Sequence, residues 1–199
     1  MVSPVTFDRM QVLMLEPDLA YLAQRHEWGA DRRDEIWDGV IHLVPQPTMS
    51  NLTIEKFLED ALDPVATALG LFVNRNVPLA RAERPHLNYR VPDVIVYDPK
   101  LVPESGPTSG VELVIEVLSP RDESREKFSF YAERGVTEIW LVNPKPRTVE
   151  VVVLDGSAYV AQHVDSFGVV HAPRLDLRLQ TIPGPKLRIT KPDGSSIDV

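Results

Sequence analysis

Cysteine is absent from the 199 residues, which excludes disulfides, thiolate metal sites and thiol nucleophiles and makes a cytoplasmic address the expectation. No apolar run approaches the roughly 18–20 residues that a membrane-spanning helix needs, so no membrane partner is expected. Residues 1–15 lack the charged start, apolar block and small-residue cleavage site of a signal peptide. A basic excess is missing too: 21 lysines and arginines face 29 acids, a net charge of −8, whereas a protein that grips duplex DNA regardless of sequence usually has a basic surface. The five histidines, at 26, 42, 86, 163 and 171, show no HxxxH or HxH spacing, which argues against zinc. Neither a Gly-x-Ser-x-Gly elbow nor a Walker-type loop occurs, so triad hydrolase and nucleoside-triphosphatase readings lack support.

What is present suffices for one domain with a real core: 43% of the residues are hydrophobic and 25% charged. The charge is uneven. Residues 71–91 hold Arg75, Arg81, Arg84 and Arg90 against Glu83 alone, and residues 174–191 hold five bases against Asp176 alone. Both stretches read equally as solvated surface or as phosphate contacts.

The 18 prolines mark short elements separated by loops. Residues 6–26 predict one or two helices broken near Pro17. Residues 35–44 predict a hairpin turning at Asp38-Gly39, packed by Trp28 and Trp37. Ile54, Phe57, Leu58, Ala61, Leu62, Val65, Ala66 and Leu69 form one helical stripe stopped by Gly70, with Pro64 expected to kink or divide it at Asp63. Strands follow at 71–79, 92–97 and 111–118, then a helix at 123–134 ended by Gly135 and a strand at 138–142 containing a core Trp140. A strand pair at 149–154 and 158–164 turns at Asp155-Gly156, and a Pro-rich tail carries one strand at 186–190. The expected architecture is a single α/β domain over 1–199 with a mixed sheet. It comprises a helical and hairpin lead-in at 1–50, a core at 51–143 running helix, three strands, helix, strand, and a β-rich extension at 144–199.

Two acids stand out in that core. Asp93 opens a Val- and Ile-rich strand just after Pro92, which a strand tolerates at its first position. On the next strand, alternation puts Glu112, Val114, Glu116 and Leu118 on one face and Leu113, Ile115 and Val117 on the other. A lone buried carboxylate costs several kcal/mol, so Glu116 needs compensation. A divalent ion shared with Asp93, an ion pair with Lys127 from the following helix, or exposure on an edge strand would each provide it.

The stretches Arg90-Val-Pro-Asp-Val-Ile-Val, Glu112-Leu-Val-Ile-Glu-Val-Leu-Ser-Pro120, Asp122…Lys127-Phe…Tyr131 and Gly135-Val-Thr-Glu-Ile-Trp-Leu-Val-Asn-Pro144 resemble the Uma2 family (DUF820) of restriction-endonuclease-like proteins. Asp34-Glu-Ile-Trp-Asp-Gly39 and Pro45–Pro47 fit the same pattern, so the likeness spans roughly residues 25–155. It implies the restriction-endonuclease-like core (αβββαβ) of the PD-(D/E)XK nuclease superfamily. It implies Asp93 and Glu116 as metal-binding catalytic acids, Glu35 as an acid completing the metal site, and Lys127 as the catalytic lysine. The superfamily lysine position two residues after Glu116 is Leu118 here. A histidine common before the long helix is replaced by Ser50 or Asn51, and the family's Trp-Leu-Val-Asp-Pro ends in Asn143-Pro144.

The activity implied is Mg²⁺-dependent hydrolysis of DNA phosphodiester bonds, with Mn²⁺ as substitute and one or two ions bound. Lys127 would stabilise the phosphoryl charge, or hold the water through a depressed pKa. The Val117 carbonyl is a further candidate ligand. Glu112, Asp122 and Tyr131 are candidate supporting residues, Asp122 reading also as a helix cap. Arg75, Arg81 and Arg90 are candidate nucleic-acid contacts. A homodimer is expected, since nucleases of this fold often pair to cut both strands and the β-rich C-terminal third offers strand edges. The alternative is a catalytically inactive nuclease fold acting as a nucleic-acid-binding or regulatory module.

Overall fold

The structure, a computed structural model, describes residues 18–104, 106–119 and 123–199. Most of the expected leading helical segment, its break near Pro17 included, and Asp122 lie outside those residues. Helix α1 (Leu19–Glu27) is capped by Asp18, whose carboxylate accepts the Ala20 and Tyr21 N–H groups. Strands β1 (Glu35–Trp37) and β2 (Val40–His42) form the expected hairpin. Asp38 and Gly39 take φ of 49° and 89°, the left-handed pair that a two-residue turn of matching twist requires. Trp37 stacks on His42 with ring centroids 4.0 Å apart. Trp28, expected to pack the hairpin, is instead 71% exposed.

Helix α2 (Met49–Ala68) starts at the Thr48 cap and buries Ile54, Leu58, Ala61, Leu62 and Ala66. Two members of the expected stripe, Phe57 and Leu69, lie on its exposed side. Pro64 neither breaks nor divides the helix. It sits on the solvent face, where water can take the bond that the Asp60 carbonyl loses.

The expected strand at 71–79 is two strands in two sheets: β3 (Phe72–Arg75) and β4 (Leu79–Ala80). With β5 (Tyr89–Arg90), β4 joins the hairpin in a small sheet of order β2-β1-β5-β4. The central sheet adds β6 (Val94–Tyr97), β7 (Val111–Val117), β8 (Glu138–Val142), β9 (Val149–Asp155) and β10 (Ala158–Ala161) to β3, in the order β10-β9-β8-β7-β6-β3. Every neighbouring pair is antiparallel except β7 and β8. These two are parallel because a crossover through a 3₁₀ turn (Ser124–Lys127) and helix α3 (Phe128–Glu133) returns the chain to the same end.

The central strands read as unbroken Val and Ile runs because both their faces are covered. Val94, Val96, Leu113, Ile115 and Trp140 pack on the α2 side, while Ile95, Val114, Ile139 and Leu141 pack against Phe130 and Tyr131 of α3. The tail holds not one strand but four: β11 (Val169–Ala172), β12 (Leu177–Ile182), β13 (Lys186–Thr190) and β14 (Ser196–Asp198), an antiparallel meander. Leu177, Leu179, Leu187 and Ile189 share one core with Trp140 and Val151, beside α2. The chain is thus a mixed α+β fold, and no described helix is long and apolar enough to cross a membrane.

Candidate functional site

Val94 lies opposite Ile115, so the register carries Asp93 to the place facing Glu116, whose side chain alternation turns toward α3. The Asp93 Oδ2 accepts the Val117 N–H at 2.7 Å, and its backbone carbonyl accepts the Asn76 N–H at 3.2 Å, fixing the mouth of β6. Val117 therefore meets Asp93 through its amide. Glu116 is buried, 3% exposed. Lys127 Nζ lies 3.2 and 3.3 Å from its two oxygens, and the Tyr131 hydroxyl donates to Oε1 at 2.5 Å. Lys127 and Tyr131 stand one helical turn apart, which lets both reach one carboxylate.

From the other side the hairpin delivers Glu35, buried and 2.8 Å from the same Lys127 Nζ. Its Oε1 also accepts the Val91 N–H at 2.9 Å and its Oε2 the Trp37 indole N–H at 2.6 Å. Asp93, Glu116, Glu35 and the Lys127–Tyr131 turn are thus brought together from four places in the chain.

The sequence reading missed two members of this cluster. Arg33, before β1, donates to both oxygens of Glu55, at 3.0 and 2.7 Å, and to Asp93 Oδ1 at 2.9 Å. Glu55 lies on α2 with 0% exposure. Its signal was present: Glu55, Leu58, Leu62 and Ala66 follow helical spacing along the buried face, so a carboxylate stands in the apolar stripe just as Glu116 does in its strand. Three buried carboxylates, Glu35, Glu55 and Glu116, and the partly buried Asp93 therefore gather around Arg33 and Lys127, with the buried Arg90 acting on Glu35 from the other side. Burial, with the nearby charges of Glu116 and Glu55, pushes the Asp93 carboxyl well above its ordinary range. Burial pulls Lys127 down, but the charges of Glu116 and Glu35 outweigh it and hold the ammonium above its ordinary value. Of the two roles expected of Lys127, this field favours the charged one. Burial and the same two carboxylates raise the Tyr131 phenol, which stays protonated as a donor.

The remaining candidates fall elsewhere. Glu112 stands four residues before Glu116, about 13 Å along the strand, and pairs with Arg174 at 2.9 Å; it supports the C-terminal sheet, not the acidic cluster. Asp122 lies outside the described residues. Arg75 is paired with Glu59 of α2 at 2.9 Å, and Arg81 with Glu133. Arg90 is no surface contact: it is 5% exposed, its guanidinium between the Trp37 and Phe130 rings, 4.4 Å from each centroid. Two other arginines, Arg84 and Arg134, join Arg81 around an open cavity of about 410 Å³, whose wall also includes Asp38, Glu83 and Asn88.

A divalent metal is implied by the pattern of acids, and the residues fit one in kind. Asp93 and Glu116 present hard carboxylate oxygens in facing register. Among the described residues, no three histidine, aspartate or glutamate side chains are grouped so as to hold a metal ion together. The fit therefore rests on the Asp93–Glu116 pair.

A family model described as "Uma2: Putative restriction endonuclease" matches residues 20–183. Among solved structures, a protein of Anabaena variabilis ATCC 29413, described as a putative nuclease belonging to DUF820, matches with a TM-score of 0.57. The two are 18% identical over 72% of this chain and 83% of that one, a likeness of fold. No curated protein matches the chain.

Proposed function

The chain belongs to the Uma2 family, and from that premise we propose that it is a Mg²⁺-dependent endonuclease that hydrolyses DNA phosphodiester bonds at the cluster of Asp93, Glu116 and Lys127. The observation that carries this reading is the convergence itself. Two acids from facing positions of β6 and β7, and a lysine from the crossover, meet in a pocket of buried charge. Asp93 and Glu116 are the residues that would hold the ion. When bound, a divalent cation supplies Lewis acidity to the phosphoryl group and acidifies water.

The protein's own groups do the rest. The Val117 N–H fixes the orientation of Asp93, and the Tyr131 hydroxyl fixes that of Glu116. Lys127, kept charged between Glu35 and Glu116, places a cation where negative charge grows on the phosphoryl oxygens. The groove of Arg81, Arg84 and Arg134 lies beside the hairpin that carries Glu35 and offers guanidinium groups to a flanking phosphate.

The competing reading, a nuclease fold that binds without cutting, draws on the two cations already lodged among the carboxylates. Cleavage decides between them. Supercoiled plasmid is expected to be nicked in Mg²⁺ or Mn²⁺ and left intact in EDTA, with Asp93→Ala and Glu116→Ala each inactive. Undiminished nicking by both variants removes the mechanism, and binding without nicking in any divalent metal favours the competing reading.

A further inference from the structure

Glu35, expected to complete the metal site, has the surroundings of a lysine's partner. Its Oε1 accepts the Val91 N–H at 2.9 Å and the Lys127 ammonium at 2.8 Å, and its Oε2 accepts the Trp37 indole N–H at 2.6 Å. Three of the roughly four acceptor sites of a carboxylate are thus used, and the side chain is only 3% exposed. An ion shared by Glu35 and Glu116 would have to displace the Lys127 Nζ, which is bonded to both.

The indole that holds Glu35 is itself held. Trp37 stacks on His42, and the Arg90 guanidinium lies 4.4 Å from a Trp37 ring centroid, close enough for its charge to act on Glu35 as well. The hairpin therefore presents a fixed carboxylate to the turn before α3. An ammonium has three N–H donors on a flexible four-carbon stem. Glu35 takes one and Glu116 faces another, so the stem is fixed from two sides and the third N–H remains for a phosphoryl oxygen.

Resting on the endonuclease reading above, we infer that Glu35 is a positioning residue for Lys127, held in place by Trp37, and not a metal ligand. Two variants of the full chain test this. Glu35→Gln is expected to lower kcat for DNA nicking by about a hundredfold, the size usual when a reacting group is misplaced, at unchanged KM and with the Mn²⁺ affinity of the wild type by calorimetry. Trp37→Phe keeps a ring for His42 and Arg90 but loses the N–H, and is expected to lower kcat by about tenfold in the same pattern. Wild-type kcat in folded Glu35→Gln overturns the inference, and so does Mn²⁺ binding weakened by about tenfold or more, which makes Glu35 a ligand. Trp37→Phe decides the matter by the same criteria if Glu35→Gln does not fold.

The metal-free protein gives a readout that does not depend on cleavage. The Lys127 ammonium, located in the lysine ¹⁵N spectrum by its loss in Lys127→Met, is expected to exchange slowly enough with water to be seen in the wild type and to disappear in Glu35→Gln. An ammonium signal that persists in Glu35→Gln, or is missing from the wild type, overturns the inference. A wild type that shows the signal but cuts in no divalent metal removes the endonuclease reading, while the hold of Glu35 on Lys127 stands.

Discussion

Buried carboxylates recur through this chain, and each shows what compensates it. Glu138, 1% exposed at the start of β8, accepts the Trp140 indole N–H at 2.6 Å and the Arg174 amide at 2.9 Å. Burial raises its pKa despite those bonds. A raised carboxyl pKa means that the folded protein takes up the proton more readily than the unfolded chain. The stability it affects is therefore present at low pH and lost as pH rises through the folded value. Glu138→Gln removes that titration, so its melting temperature relative to wild type is expected to rise between pH 5 and pH 8; a difference that stays flat, or falls, contradicts the assignment. The same logic made Glu116 legible in the sequence, since a carboxylate in an apolar strand demands a partner. Of the three compensations open to it, the structure displays the Lys127 ion pair. Arg33 was not legible: it lies among four neighbouring charges, Asp31, Arg32, Asp34 and Glu35, and nothing local distinguishes it from Arg32. Its meaning comes from Glu55 and Asp93, 22 and 60 residues away.

At the scale of elements, local chemistry was informative where the signal was complete within a few residues. The Asp38-Gly39 turn and the Gly70 and Gly135 stops stand as the sequence indicates, and the β9–β10 hairpin forms too, but turns at Gly156-Ser157, one place beyond the expected Asp155-Gly156, because Asp155 is still paired with Ala158. Two elements did not follow their local pattern. Residues 71–79 look like one strand, but Asn76, at φ 55°, turns the chain out of the central sheet, and β4 pairs with β5 instead. Helix α2 continues past Pro64 because packing of Leu58, Leu62 and Ala66 outweighs one lost solvent-side bond. Pro64→Ala restores that bond at the cost of a more flexible unfolded chain, and a net gain of about 1–2 kcal/mol is expected. A raised urea midpoint at unchanged slope is the measure; an unchanged or lowered midpoint means that the helix does not carry the proline as a defect.

Over the whole molecule, the core order of helix, three strands, helix and strand was readable because its strands are Val- and Ile-rich runs set off by glycine and proline. Of the C-terminal sheet only β13 was, because Pro173, Pro183 and Pro185 crowd the turns between its strands and make the whole segment read as loop. Its apolar residues gain their meaning only against Trp140 and Val151. Charge at this scale is also local: a chain of net −8 can meet phosphate through the Arg81, Arg84 and Arg134 groove while remaining acidic elsewhere. Arg84→Ala combined with Arg134→Ala is expected to weaken duplex binding and to reduce the salt dependence of log K by about 2, near one unit for each phosphate that is no longer neutralised. An unchanged slope places the nucleic acid on another surface. The most direct test of the account is a crystal of the protein soaked in Mn²⁺ and measured for anomalous scattering. The account predicts one peak bridging Asp93 and Glu116, about 2.0–2.6 Å from an oxygen of each. A fully soaked crystal with no peak between those two carboxylates contradicts it.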